Sequence, residues 1–153
     1  MKPSTAVLTI RNVARIHGNG ESSVHALRGV SLTIRAGELV AVMGQSGSGK
    51  STLLRIAGGL DSPTSGSVRV LGSPVEEMKS SALARMRRRS VGYVFQDYNL
   101  INSLTALENV TLPLELDGVK SRQARIQSRI ALEQVGIGGM ADRYPHQMSG
   151  GQQ

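Results

Sequence analysis

The stretch Gly44-Gln45-Ser46-Gly47-Ser48-Gly49-Lys50-Ser51-Thr52 fits the phosphate-loop pattern G-x-x-x-x-G-K-[ST]. In front of it runs Glu38-Leu39-Val40-Ala41-Val42-Met43, a short apolar run of the kind shown by a strand buried on both faces of a parallel sheet. Behind it, Leu53-Leu54-Arg55-Ile56-Ala57 has a helical pattern that ends at Gly58-Gly59. Strand, glycine loop and helix follow in the order the pattern requires, and an α/β fold is expected. Glycines let the backbone curl so that successive N–H groups point inward at an anion, and the new helix adds the positive end of its dipole. On this reading Gly44, Ser46, Gly47, Ser48 and Gly49 form a phosphate cradle. Lys50 reaches the β- and γ-phosphates, Ser51 places its hydroxyl on Mg²⁺, and Thr52 bonds another phosphate oxygen. The plainer alternative is a glycine-rich turn capping an ordinary helix. With glycine at about 7% of residues, however, a chance match in such a chain is on the order of one in a hundred.

With 153 residues, 39% of them hydrophobic, the chain has room for one domain with its own core. The apolar runs around 39–43 and 91–95 are far too short to cross a bilayer, and the N-terminus lacks the apolar core of a signal peptide. The protein is therefore expected in the cytoplasm. The absence of cysteine excludes disulfides and thiolate metal sites but says nothing of the compartment. A net charge of +7 admits a nucleic acid or an anionic membrane as partner. The basic residues are partly scattered, though, and the only aromatics are Tyr93, Phe95, Tyr98 and Tyr144, so nucleic acid is not the expected partner.

Along the chain, Ala6-Val7-Leu8-Thr9-Ile10 and Val30-Ser31-Leu32-Thr33-Ile34 are β-rich, and His17-Gly18-Asn19-Gly20-Glu21-Ser22-Ser23 between them reads as a surface hairpin connection. After the first helix and a turn at 61–66, Ser67-Val68-Arg69-Val70-Leu71 alternates as a half-buried strand does. A helix is expected over 80–89 with Ser80 or Ser81 as its cap, followed by a strand over Val91-Gly92-Tyr93-Val94-Phe95 with Gln96 at its end. From Asp97 the strand signals stop. Segments 104–110 and 121–135 read as helices, the second burying Ile126, Ile130, Ala131 and Val135 as one face. The expected division is thus an α/β core over 1–96 and a helical portion over 97–153.

A phosphate loop, a run ending in Gln96, a helical portion and then Met148-Ser149-Gly150-Gly151-Gln152 resemble, in that order, the nucleotide-binding domain of ATP-binding cassette (ABC) proteins. The last motif is the family's L-S-G-G-Q signature with Met148 in place of leucine, an apolar exchange that keeps the packing role. It also makes sense as a second anion site, because Ser149 and the glycine N–H groups sit where a helix should begin. The stretches 26–32, 92–101 and 104–110 resemble in particular the lipoprotein-releasing and macrolide-export group of ABC transporters.

The resemblance implies a P-loop NTPase core with an N-terminal antiparallel β subdomain and a helical subdomain. It implies ATP and Mg²⁺ as ligands, a membrane subunit as partner, and a location on the inner face of the cell membrane. It also implies a head-to-tail dimer, each ATP held by the phosphate loop of one nucleotide-binding domain and the signature of the other. Gly47, Gly49, Lys50, Ser51 and Thr52 then bind phosphate and Mg²⁺, with Lys50 and Gln96 in the catalytic role. Gln96 reaches the Mg²⁺ and attacking-water region, and Ser149, Gly150, Gly151 and Gln152 meet the ATP of the opposite subunit. Where the family has a tyrosine stacked on adenine, this chain has His17 or, less readily, Ile16.

The family's second acidic motif (the Walker B strand with its Asp, then the catalytic Glu) and its switch His follow the signature, beyond Gln153. The helical subdomain is accordingly expected to be incomplete, the chain a C-terminally truncated fragment, and turnover by the fragment alone is not expected. Two alternatives stay open: a soluble cassette protein acting on nucleic acid or the ribosome, and an inactive remnant.

Overall fold

The computed structural model describes residues 5–153, the Glu21 side chain excepted. These residues form two compact units, one ending at Gly92 and the other beginning at Tyr93.

The first unit is built on an antiparallel sheet. Strands β1 (Ala6–His17) and β2 (Val24–Arg35) form a long hairpin closed by a 3-10 turn at Gly20–Ser22. Strands β3 (Ser65–Val70) and β4 (Ser73–Pro74) extend it in the order β2-β1-β3-β4. The poor alternation of the first strand has a physical cause. Ile10 and Val13 are both buried although three positions apart, which a period of two forbids, and the register shifts between them. Asn12 carries the irregularity at φ 47°, and its N–H donates to Ser31 Oγ over 2.9 Å.

Helix α1 (Lys50–Ala57) lays Leu53 and Ile56 against this sheet, joining Ile10, Val13, Leu27, Val68, Val70 and Val75 in one core. Helix α2 (Ser80–Ser90) adds Leu83 and Met86. Its cap differs from expectation: Lys79 is the N-cap residue and no side chain closes it, so Ser80 lies inside the helix and neither serine has the capping role. Of its arginines, Arg87 turns inward and donates to the Gly59 carbonyl over 2.8 Å.

Two expected strands are not formed. Residues 38–43 and 91–95 pair with no strand among the described residues. Leu39 (100%), Met43 (88%) and Val94 (95%) are exposed, while Val42 and Val91 touch the core. A strand buried on both faces exists only with hydrogen-bonded neighbours. Without such neighbours, the apolar composition of these segments does not produce one.

The second unit is helical. Helix α3 (Ala106–Leu116) and helix α4 (Ser121–Gln134) are followed by 3-10 turns at Gly138–Met140 and Pro145–Gln147. Thr105 opens α3 with a reciprocal capping box: its hydroxyl accepts from the Glu108 N–H, and the Glu108 carboxylate accepts from the Thr105 N–H. The amides of Ala106 and Leu107 donate to the carbonyls of Arg143 and Ala141, each over 2.8 Å, so the start of α3 is tied to the loop before the signature. Leu107, Leu132 and Ala141 form the core, with Val110 and Ile137 packed on it.

The expected buried face of α4 is corrected. Ile126 and Ile130 are about half exposed (49% each) and Val135 is 70% exposed, whereas Ala124, Ser128 and Leu132 are buried. Small side chains at 124 and 128 let α4 come close to α3, where Ser128 Oγ is hydrogen-bonded to Thr111 Oγ1 at 3.1 Å. Close approach of the backbones won over the larger apolar area of the isoleucines.

Candidate functional site

Residues 44–49 curl between the hairpin and α1, with Gly44, Gly47 and Gly49 at φ 154°, 78° and 90°. Gly49 is the N-cap of α1, and its carbonyl accepts the Leu53 N–H over 2.8 Å. Its left-handed backbone favours glycine, and a Cβ there would run into the Ala26 carbonyl oxygen. The loop is therefore pressed onto β2 in a way only glycine allows. Within 44–49 the Ser48 N–H donates to the Gln45 carbonyl (3.2 Å), and the amides of Ser46, Gly47 and Gly49 have no backbone acceptor among the described residues. The first amides of α1, at Lys50, Ser51 and Thr52, lack intrahelical partners by construction. Both sets suit an anion.

Lys50 Nζ donates to the carbonyls of Gly44 (2.9 Å) and Gln45 (2.6 Å), with Ser48 Oγ at 3.4 Å. The ammonium is thus held over its own loop by two firm bonds and one long contact. A cleft of about 500 Å³ opens beside it, lined by Ser46, Gly47, Gly49, Lys50, Ser51 and Thr52 from the loop and helix and by Val24, His25 and Ala26 from β2. That volume is in the range of small-molecule and cofactor sites. The Ser51 hydroxyl, on an exposed residue of this wall, is a hard oxygen donor of the type Mg²⁺ accepts together with phosphate oxygens, so the residues present fit that ion and a polyphosphate.

His17 ends β1, exposed and paired with Val24; it is Val24 rather than His17 that lines the cleft. Sequence reasoning missed Val24, His25 and Ala26, because only the folded hairpin brings them to the loop. The signal was the approach of Ala26 to Gly49, which a linear reading does not contain.

The remaining expected site residues lie in the second unit. Gln96 is exposed in a turn with Asp97. Met148 is buried and lines a small apolar cavity of about 60 Å³ with Leu100, Ala106, Val110 and Pro145. Ser149 begins a helical turn, its carbonyl accepting the N–H groups of Gln152 (2.8 Å) and Gln153 (3.1 Å), and the Gln152 side chain accepts the Ser149 N–H over 3.0 Å. Ser149, Gly150 and Gly151 are exposed on this turn. It has the form of a helix start, with the side chain three residues on reaching back to the first amide.

A sequence profile described as ABC transporter matches residues 27–153, which carry both the phosphate loop and the signature turn. The chain belongs to the ABC transporter family. An uncharacterized ABC transporter ATP-binding protein of Thermotoga maritima is 48% identical over 147 residues, covering 96% of this chain and 63% of that protein. The ABC transporter ATP-binding protein YbbA of Escherichia coli is 43% identical, covering 99% of this chain and 66% of its own. The macrolide export ATP-binding/permease protein MacB of Salmonella typhimurium is 45% identical, covering 97% of this chain and 23% of its own. The chain thus spans 63–66% of the length of the two ATP-binding relatives. Among solved structures, the dimeric ATP-binding cassette MJ0796 in a post-hydrolysis state with ADP and Pi matches with a TM-score of 0.87 at 40% identity. That match covers 95% of this chain and 64% of the cassette. The fold is that of the ABC ATPase cassette, an α/β P-loop NTPase fold in which the antiparallel hairpin sheet stands beside the phosphate loop. No described helix is long and apolar enough to cross a membrane.

Proposed function

We propose that this chain is the ATP-binding part of an ABC transporter subunit that, in the complete protein, hydrolyses ATP to drive export or lipoprotein release across a membrane. The observation that carries the reading is the Lys50 ammonium held on the carbonyls of a loop whose amides at Ser46, Gly47 and Gly49 have no backbone acceptor among the described residues, at the mouth of α1 and beside a cleft of about 500 Å³. An incoming phosphate oxygen accepts a hydrogen bond from the third ammonium proton, displacing the long 3.4 Å contact to Ser48 while both carbonyl bonds persist. The amides of Ser46, Gly47, Gly49, Lys50, Ser51 and Thr52 then wrap the phosphates, and His17 stacks on the base. Ser51 and Gln96 are the residues that would hold Mg²⁺, whose chemistry there is to neutralise charge on the phosphate oxygens.

Residues 1–96 act as the ATP-binding core and 97–153 as the helical subdomain. In a head-to-tail dimer the turn at Ser149, Gly150, Gly151 and Gln152 meets the nucleotide of the second copy, and a membrane subunit holds the pair at the inner face of the cell membrane. The relatives named for ATP binding and for macrolide export, and the dimeric cassette holding ADP and Pi, support this reading. The test is phosphate release by the complete protein with its membrane partner: activity that Lys50→Ala removes is expected, and activity that survives the substitution overturns the assignment.

A further inference from the structure

We propose that Tyr98 is a positioning residue for the signature turn, fixing Gly150 and thereby tying that turn to the loop that follows Gln96. The proposal rests on the ATPase reading above and deepens it. Gly150 is not among the glycines with left-handed backbone, so the chain itself does not demand glycine there. What a side chain there would meet is Tyr98: a Cβ at Gly150 would lie 2.9 Å from Tyr98 Oη, while the next ring atom, Cζ, is 3.8 Å away. The hydroxyl, the far end of a half-exposed side chain, would have to move aside for that methyl, while the ring behind it stands at ordinary van der Waals range.

Tyr98 is held in place at a cost. It and Asn99 are consecutive left-handed residues (φ 56° and 57°), and neither is glycine. Left-handed backbone at a residue other than glycine is strained and persists only where its surroundings determine it. Those surroundings are visible. On one side the Tyr98 N–H donates to the Phe95 carbonyl at 3.4 Å. On the other, the Asn109 side chain grips Ile101, accepting from its N–H at 2.8 Å and donating to its carbonyl at 3.1 Å. Leu100, between these anchors, lines the same small cavity as Met148 and Gln152. The loop carrying Gln96 is thus fastened to α3, and the hydroxyl at its crest stands where a side chain on the first glycine of the signature would be. The turn itself is held from within by Gln152 Oε1 on the Ser149 N–H and by Gln153 Nε2 on the Met148 carbonyl. On the proposal, Tyr98 bounds the turn from the other side. Movement of the Gln96 loop therefore moves the turn that presents Ser149 and the glycine amides.

The experiment compares four forms of the complete protein: unaltered, Gly150→Ala, Tyr98→Phe, and both together. Each is measured for kcat and for the ATP dissociation constant. In Gly150→Ala the new methyl collides with Oη, and kcat is expected to fall about tenfold while ATP affinity at the phosphate loop changes less than about twofold. Tyr98→Phe removes the atom at 2.9 Å and leaves the ring at 3.8 Å. The double variant should therefore regain at least about threefold of the lost kcat, a coupling that independent sites do not give. If Gly150→Ala costs the same kcat whether or not Tyr98→Phe is also present, the positioning role alone is overturned. Absence of hydrolysis by the unaltered protein would overturn the ATPase reading and this role with it.

Discussion

Lys50 Nζ lies 2.9 Å from the carbonyl oxygen of Gly44, six residues earlier, and this bond closes the phosphate loop on itself. The cation that would meet the ligand also staples the loop that cradles it. Its removal takes away both charge and shape, whereas changes elsewhere in the loop take away one or the other.

Gly49 separates the two. With φ 90° and the Ala26 carbonyl where a Cβ would be, Gly49→Ala leaves Lys50 intact but forces the loop off β2. A destabilisation of about 1–3 kcal/mol is expected in chemical denaturation, with nucleotide binding lost. Unchanged stability and affinity would mean the close approach has no consequence.

His17 stands at the end of β1 beside Val24, and its stacking role concerns only the base. His17→Ala should weaken ATP by about 1–3 kcal/mol and leave inorganic triphosphate untouched, since only the adenine contact is lost. Calorimetric titration with both ligands decides it, and equal losses would assign His17 to the solvated hairpin end.

Glu108 ties the start of α3 to pH. The Thr105 N–H, then the Thr105 hydroxyl, hold its carboxyl below the usual carboxylate range, and Arg125 adds to this against a desolvation that opposes it. A lowered folded-state pKa means the unfolded chain binds the proton more readily. The contribution is therefore complete above the unfolded carboxylate pKa and is lost as pH falls through the folded one. Melting followed from neutral pH into the acid range should show a steeper loss for the unaltered chain than for Glu108→Gln. Parallel curves would remove the capping box from the acid response.

Ser128 tests the corrected face of α4. Ser128→Leu places a large side chain against α3 where the helices touch and should cost about 1–3 kcal/mol, whereas Ile130→Ala, at a half-exposed site, should stay within roughly 0.5–1 kcal/mol. The reverse order, measured by denaturant unfolding, would restore the isoleucine stripe as the packed face.

What the sequence made legible follows the range of the forces involved. The loop at 44–49, the end of α1 at Gly58 and the turn at Ser149 are written in residues that act on their immediate neighbours, and they form where those residues stand. The strand expected at 38–43 depends on partners far along the chain, and apolar composition cannot supply them. The face of α4 differs from expectation for a related reason. Isoleucine outweighs serine in any hydrophobic count, but the Ser128–Thr111 contact rewards smallness that is apparent only once α3 lies alongside. Tyr98 reads in the sequence only as one of four aromatics, because its significance is a distance to Gly150, more than fifty residues away.

The most direct test of the central claim is calorimetric titration of Mg·ATP into the complete protein and into its Lys50→Ala variant. Saturable binding by the unaltered protein that is abolished in the variant is the predicted result. Undiminished ATP affinity in Lys50→Ala would contradict the account.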